Sequence, residues 1–224
     1  MHQFISKKKL IYLFLFFFLV SINNLTIMNL SFPKVDNIEI SGVNIEESEK
    51  IKKNLKYLNL ENIFFINKSE IYRKIISFNI IEQIKIFKNY PSTLKIEIKQ
   101  TEILAITKKD GLDYFVGSNG KLIKQNGSIT NLPYIFGDLD IQEFLKFNSK
   151  IDKSKFEFNK ITNFYLFKSK RWDIETTEGY VVKLPVKNVE KTLNLLVQLY
   201  EDEKFKDQTT IDFRQEGQVI LNEK

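Results

Sequence analysis

Gln83-Ile84-Lys85-Ile86-Phe87-Lys88-Asn89-Tyr90-Pro91-Ser92-Thr93-Leu94-Lys95-Ile96-Glu97-Ile98-Lys99 decides how the first half of the chain folds. Ile84 and Ile86 alternate with Gln83 and Lys85, and Leu94, Ile96 and Ile98 alternate with Lys95, Glu97 and Lys99. Alternation at period two places one set of side chains against a core and the other toward water, so each run reads as a half-buried strand. Lys88 to Ser92 supplies turn chemistry between them. Upstream, Asp36-Asn37-Ile38-Glu39-Ile40-Ser41 alternates in the same way and stops at Gly42. Asn44 with Glu47, and Asn67 with Glu70, have the spacing of a capping box at a helix start. Ile51, Leu55 and Leu58 recur at helical intervals, as do Ile71, Ile75 and Phe78, which predicts helices over roughly 45–58 and 68–78. The order over 35–100 is therefore β-α-α-β-β. One sheet with both helices on one face buries every apolar side.

Further upstream, Lys7-Lys8-Lys9 precedes Leu10-Ile-Tyr-Leu-Phe-Leu-Phe-Phe-Phe-Leu-Val20, and thinner apolar spacing continues through Ile22, Leu25, Ile27, Met28 and Leu30. A helix rises about 1.5 Å per residue and a bilayer core is about 30 Å thick, so roughly 20 residues are needed to span it. Residues 10–30 supply that length if Ser21, Asn23, Asn24 and Thr26 sit toward the head groups. The expectation is a signal-anchor helix over 10–30, with residues 1–9 a cytoplasmic stub, because basic residues stay inside. A cleaved signal peptide is the competing reading, but the small-residue cleavage pattern it needs is represented only by Ser21.

Downstream, Ile103, Ala105 and Thr107 begin a further strand ending at Asp110-Gly111. Tyr114 to Gly117 and Leu122-Ile123 flank an Asn119-Gly120 hairpin signal. Helices are expected over 139–149 and 188–201, the second from the stripe Val189, Leu193, Leu196, Val197 and Tyr200. Strand candidates are 164–167, 172–176, a hairpin through Gly179 to Leu184, 210–214 and 218–221. The fold class is α+β, with a mixed β domain and flanking helices over 101–224.

Hydrophobic residues make up 43% of the 224, enough for real cores. Cysteine is absent, which excludes a disulfide scaffold, a thiol nucleophile and a thiolate zinc site. The net charge is +6, but the lysines alternate with glutamates along the whole chain instead of clustering on one face, so a nucleic-acid surface is not expected. The one histidine, His2, lies in the stub, leaving no His-containing triad or two-histidine metal site. Gly117-Ser-Asn-Gly120-Lys121 fails the phosphate-loop spacing and reads as a turn. No carboxylate pair stands out as acid and base. Trp172 is read as a core residue before an exposed binding aromatic. Asp212 and Arg214 are open to two readings, an internal ion pair or a partner contact. Neither a cofactor, a metal nor a small-molecule substrate is expected.

Several segments together resemble the FtsQ/DivIB bacterial cell-division family, which places a POTRA domain just outside one membrane helix. They are Val35-Asp-Asn-Ile38-Glu-Ile40-Ser-Gly42 and Ile86 to Ile96, whose family form is roughly V-x-R-x-x-P-x-T-L-x-I. Leu132-Pro133 with Gly137, and Arg171-Trp172-Asp173-Ile174 through Gly179 to Leu184-Pro185, follow in the same order, and Asp212-Phe213-Arg214 stands for the family's D-L-R. Of the family's E-R-x-P-x-A only Ala105 remains. The resemblance implies a POTRA domain over 35–100 and an FtsQ-type β domain over 101–224. It implies a non-enzymatic divisome scaffold in the inner membrane at the septum, N-terminus cytoplasmic and domains periplasmic. It implies FtsB and FtsL-like partners, with other divisome components recruited through the POTRA domain, and septal peptidoglycan synthesis as the process served. On that analogy Arg214, Gln215 and Gly217 face the partner, although the family often has an aromatic residue where Gln215 stands. A POTRA-containing protein of outer-membrane assembly or secretion is the alternative. A cell-wall hydrolase would need an acidic pair or metal ligands in one cleft.

Overall fold

The computed structural model describes residues 6–22, 33–125, 131–200 and 208–223. The first element, α1 (Lys7–Ile22), has 16 residues and exposes its apolar side chains, Leu10 to Val20, along its whole length. At about 1.5 Å per residue it is roughly 24 Å long. Among the described residues no helix is long and apolar enough to cross a membrane. Residues 23–30 of the expected span lie outside them.

The first unit is built from β1 (Asn37–Ser41), α2 (Ile45–Leu55), α3 (Lys68–Ile76), β2 (Ile81–Asn89) and β3 (Thr93–Gln100). This is the expected β-α-α-β-β order. The chain's sheet order is β1-β3-β2: β1 runs parallel to β3, and β2 antiparallel to it. Leu94, Ile96 and Ile98 of β3 are buried against Ile51 and Leu55 of α2 and Ile71 and Ile75 of α3. Every fully buried residue in this core is Val, Ile or Leu. Asn44 caps α2 by accepting from the Glu47 backbone N–H at 2.8 Å. Asn67 caps α3 one position earlier than the spacing suggests, accepting from Ser69 N–H at 3.0 Å. Neither glutamate closes the box: Glu70 instead bridges to Lys74, and Glu47 leaves one buried carboxylate oxygen without a partner. Helix α2 stops three residues short of the expected end, tightening into a 3₁₀ turn over Lys56–Leu60. Gly42 exits β1 at φ +90°, and a Cβ there would lie 1.8 Å from the Ile98 carbonyl oxygen, so only glycine fits under β3.

The second unit adds β4 (Ile103–Lys109), β5 (Leu112–Gly117), β6 (Leu122–Lys124), β7 (Tyr134–Phe136), α4 (Ile141–Lys153), β8 (Ile161–Leu166), β9 (Trp172–Thr176), β10 (Val181–Lys183), α5 (Val189–Tyr200), β11 (Gln208–Asp212) and β12 (Ile220–Glu223). Its nine strands form one sheet in the order β12-β11-β10-β9-β8-β7-β4-β5-β6. Strand β7 runs parallel to β4 and β8, and β10 parallel to β11, so α4 and α5 are crossover helices between parallel neighbours. Asp140 caps α4, accepting from the Gln142 and Glu143 N–H groups. Phe144 and Phe147 of α4 and Leu193 and Leu196 of α5 share one core with Phe164, Trp172, Ile174 and Val182 from the sheet. Trp172 stacks on Phe147 with centroids 4.9 Å apart and is only 6% exposed, so it is a core residue.

The two units are joined by more than chain connectivity. The turn carrying Gly117 to Lys121 reaches back onto the α3–β2 corner. The Asn119 side-chain amide donates to the carbonyls of Asn79 (2.8 Å) and Ile81 (3.0 Å). Asn79 returns a bond to the Leu122 carbonyl at 2.7 Å, and Lys121 donates its ammonium to the Ile76 carbonyl at 2.6 Å. Thr101, between β3 and β4, is buried and meets Ser118 at 3.0 Å. The Asn119-Gly120 signal thus corresponds to the β5–β6 hairpin turn, and the clamp is a tertiary contact that no local sequence pattern announces.

Candidate partner-binding surface

Strand β12 is the outermost strand of the large sheet. It pairs antiparallel with β11, Ile211 opposite Leu221 and Asp212 opposite Ile220, with a register irregularity between Gln208 and Thr210. Among the described residues no strand covers its outer margin. The strand occupies Ile220–Glu223, two residues later than the expected 218–221. An edge strand offers a row of backbone donors and acceptors that another chain can pair with.

All three residues singled out from the sequence, Arg214, Gln215 and Gly217, lie in the turn between β11 and β12. They are brought together, at the end of the edge strand instead of along it. Asp212 is buried, and Arg214 packs onto its carboxylate: Arg214 Nε lies 2.9 Å from Oδ1 and Nη2 lies 2.5 Å from Oδ2, while the Arg214 backbone N–H also donates to Oδ1 at 3.0 Å. Hydrogen bonding from Arg214 holds the Asp212 carboxyl below its ordinary pKa, against the opposing pull of burial. The pair the sequence left ambiguous is thus an internal ion pair, with Arg214 still 44% exposed. Phe213 between them points inward and is buried. Gly217 takes φ +76° to close the turn, and Gln215 accepts from the Gln218 N–H at 3.3 Å.

Beside this turn lies a groove of about 530 Å³. One wall is the turn itself, from Phe213 to Val219. The other is the loop after β10, Pro185 to Asn188, together with Thr192 and Leu195 of α5. Val186 is 56% exposed and Leu195 40%, so the groove is partly apolar next to a cation and an open strand. This juxtaposition suits an incoming segment that adds a strand to β12 and seats an apolar side chain in the groove. Val186 and Leu195 were missed in the sequence. The signal available for Leu195 was that it lies off the buried stripe of α5 made by Val189, Leu193 and Leu196. Among the described residues no group of three or more His, Asp or Glu is arranged to hold a metal ion. His2 lies outside the described residues.

A family model for the cell division protein FtsQ/DivIB, C-terminal, matches residues 105–214, and a model for the POTRA domain, FtsQ-type, matches 34–100. The cell division protein DivIB of Clostridium botulinum strain Hall is 33% identical over 129 residues, 57% of this chain and 49% of that protein. The chain therefore spans about half the length of that relative. The cell division protein FtsQ of Rickettsia bellii is 24% identical over 191 residues, covering 84% of this chain and 72% of that one. Among solved structures, the major extracytoplasmic domain of the trans isomer of DivIB from Geobacillus stearothermophilus aligns over 42% of this chain and 87% of that one. The TM-score is 0.33 with 13% identity, a likeness too slight to bear on the fold.

Proposed function

The chain belongs to the FtsQ/DivIB family of cell-division proteins, and on that footing we propose that it is a non-catalytic scaffold of the division machinery. Residues 10–30 tether it to the inner membrane with the lysine cluster inside, and both folded units stand outside, at the septum. The β12 margin accepts a strand from an FtsB-like partner and, through that partner, meets an FtsL-like chain. Backbone bonds supply affinity, and the groove beside Arg214, Gln215 and Gly217 supplies specificity through side chains. The POTRA unit recruits the protein to other divisome components, and the assembly regulates septal peptidoglycan synthesis.

The observation that carries this reading is the placement of the last strand. An edge strand such as β12, with a partly apolar groove beside it, is an arrangement that a partner strand can extend.

The test is co-purification from membranes. Val186→Glu puts a charge in the groove without touching the core, and is expected to cut partner recovery at least about tenfold, a change of about 1.4 kcal/mol. Arg214→Glu also weakens binding, but it sets a second carboxylate beside Asp212, so its fold must be checked by circular dichroism. Wild-type recovery with Val186→Glu removes the groove from the interface. Depletion of the protein is expected to give filamentous cells, and normal division would discard the division role.

A further inference from the structure

We propose that the end of the POTRA unit remote from the large sheet rests on the lipid head-group region through Phe64, Phe65 and Tyr90. This rests on the reading of residues 10–30 as a membrane anchor and extends it to a second, peripheral contact.

The placement follows from topology. The chain enters the first unit at 33–35, where Lys34 bridges to Asn62, Ile63 N–H donates to the Pro33 carbonyl and Val35 N–H donates to the Glu61 carbonyl. The Asp36 N–H donates to the Ser92 carbonyl at 2.9 Å, which brings the β2–β3 turn to the same end. Strand β3 then runs away from that turn, from Thr93 to Gln100, and delivers the chain to the large unit at the opposite end. At about 3.3 Å per residue that separates the two ends by roughly 25 Å. The near end is the one joined to α1, and the residues between them, 23–32, can span no more than about 40 Å.

What stands at that end is aromatic. Phe65 is 78% exposed, Tyr90 58% and Phe64 48%, although the unit's own core has no buried aromatic. Phe64 and Tyr90 stack face to face, centroids 4.8 Å apart, and the Lys88 ammonium ties the loop to the hairpin by donating to the Phe64 carbonyl at 2.9 Å. The patch is thus a fixed surface made of two cross-braced segments. Aromatic rings gather at the membrane–water boundary, where a flat apolar body and a polar rim are both satisfied. Charges nearby are mixed: Lys34 and Lys88 against Asp36 and Glu61. The contact therefore depends on the rings and changes little with anionic lipid.

The chain has no cysteine, so single-cysteine labelling is direct. Phe65→Cys, with Tyr90→Cys as a second position, carries an environment-sensitive fluorophore in the full chain reconstituted in phosphatidylcholine vesicles. Lys109→Cys on the large unit is the reference. A lipid-borne quencher is expected to dim the labels at 65 and 90 at least about threefold more than the label at 109, since interfacial contacts bury side chains about 5–10 Å deep. The same contrast should persist with phosphatidylglycerol added. If the chain survives an alkaline wash but the three labels quench alike, this inference falls and the anchor stands. If the wash strips the chain from the vesicles, both fall.

Discussion

The small sheet and the large sheet place their last described strands differently. In the first unit the last strand, β3, lies in the middle of the order β1-β3-β2, so its backbone is consumed on both sides. In the second the last strand, β12, lies at the margin, so half of its backbone groups face outward. Their cores differ as well. The buried residues of the first are Val, Ile and Leu, with Tyr57 and Phe78 only at its periphery, whereas the second is centred on Phe144, Phe147, Phe164 and Trp172. Among the described residues the small sheet has β1 and β2 as its margins and the large sheet β6 and β12, so the two units differ in which strands keep unpaired backbone groups that another polypeptide could meet.

The strongest way to sharpen this contrast is through the cores. Phe164→Ala removes a fully buried ring touching Phe144, Phe147 and Trp172 and is expected to cost about 3–5 kcal/mol. Trp172 is the only tryptophan, so its fluorescence follows the large unit alone, and the denaturation midpoint read there should fall. Leu94→Ala, costing about 2–5 kcal/mol, should lower the far-ultraviolet transition before it moves the tryptophan signal. Coincident loss in both probes for both variants would mean that the units unfold as one.

A smaller effect is expected at the clamp. Asn119→Ala deletes the amide bonds to the Asn79 and Ile81 carbonyls and should cost about 1–3 kcal/mol. Its signature is a wider gap between the tryptophan and far-ultraviolet midpoints, and faster proteolysis near Thr101. An unchanged gap would show that the turn does not couple the units.

The mildest effect concerns pH at the border strand. Asp212 is held below its ordinary value of 3.8 by Arg214 in the folded state. A lowered folded pKa stabilises above the unfolded value and is lost as pH falls through the folded one. The β11–β12 turn should therefore loosen only under acid conditions, below about pH 4, and Asp212→Asn should flatten that dependence. Amide exchange across β12 as a function of pH measures it. Exchange equally pH-dependent in Asp212→Asn would assign the effect elsewhere.

The first unit was largely legible because its strands are long. Five to nine residues of clean alternation, as in Ile84 to Ile98, leave little choice of face. Strands β6, β7 and β10 have three residues each, too few for a period to be read. The parallel pairings made by α4 and α5 were hidden for the same reason. Arg214, Gln215 and Gly217 were singled out by the family resemblance alone, and they lie in the turn between β11 and β12 that forms one wall of the groove. Val186 and Leu195 went unseen because a groove wall is assembled from residues far apart in the chain. The internal pairing of Arg214 was undecidable because sequence gives adjacency but no rotamer.

The clamp and the edge strand occupy opposite borders of one sheet, for β6 continues from the turn that holds the POTRA unit and β12 closes the other side. Eight inter-strand gaps separate them, and at about 4.8 Å each that is roughly 38 Å measured across the ladder. Backbone hydrogen-bond spacing is among the least adjustable lengths in a protein. The nine strands thus work as a gauge block: they set how far the β12 border stands from the clamp, in steps of one strand, and no side-chain substitution can trim it.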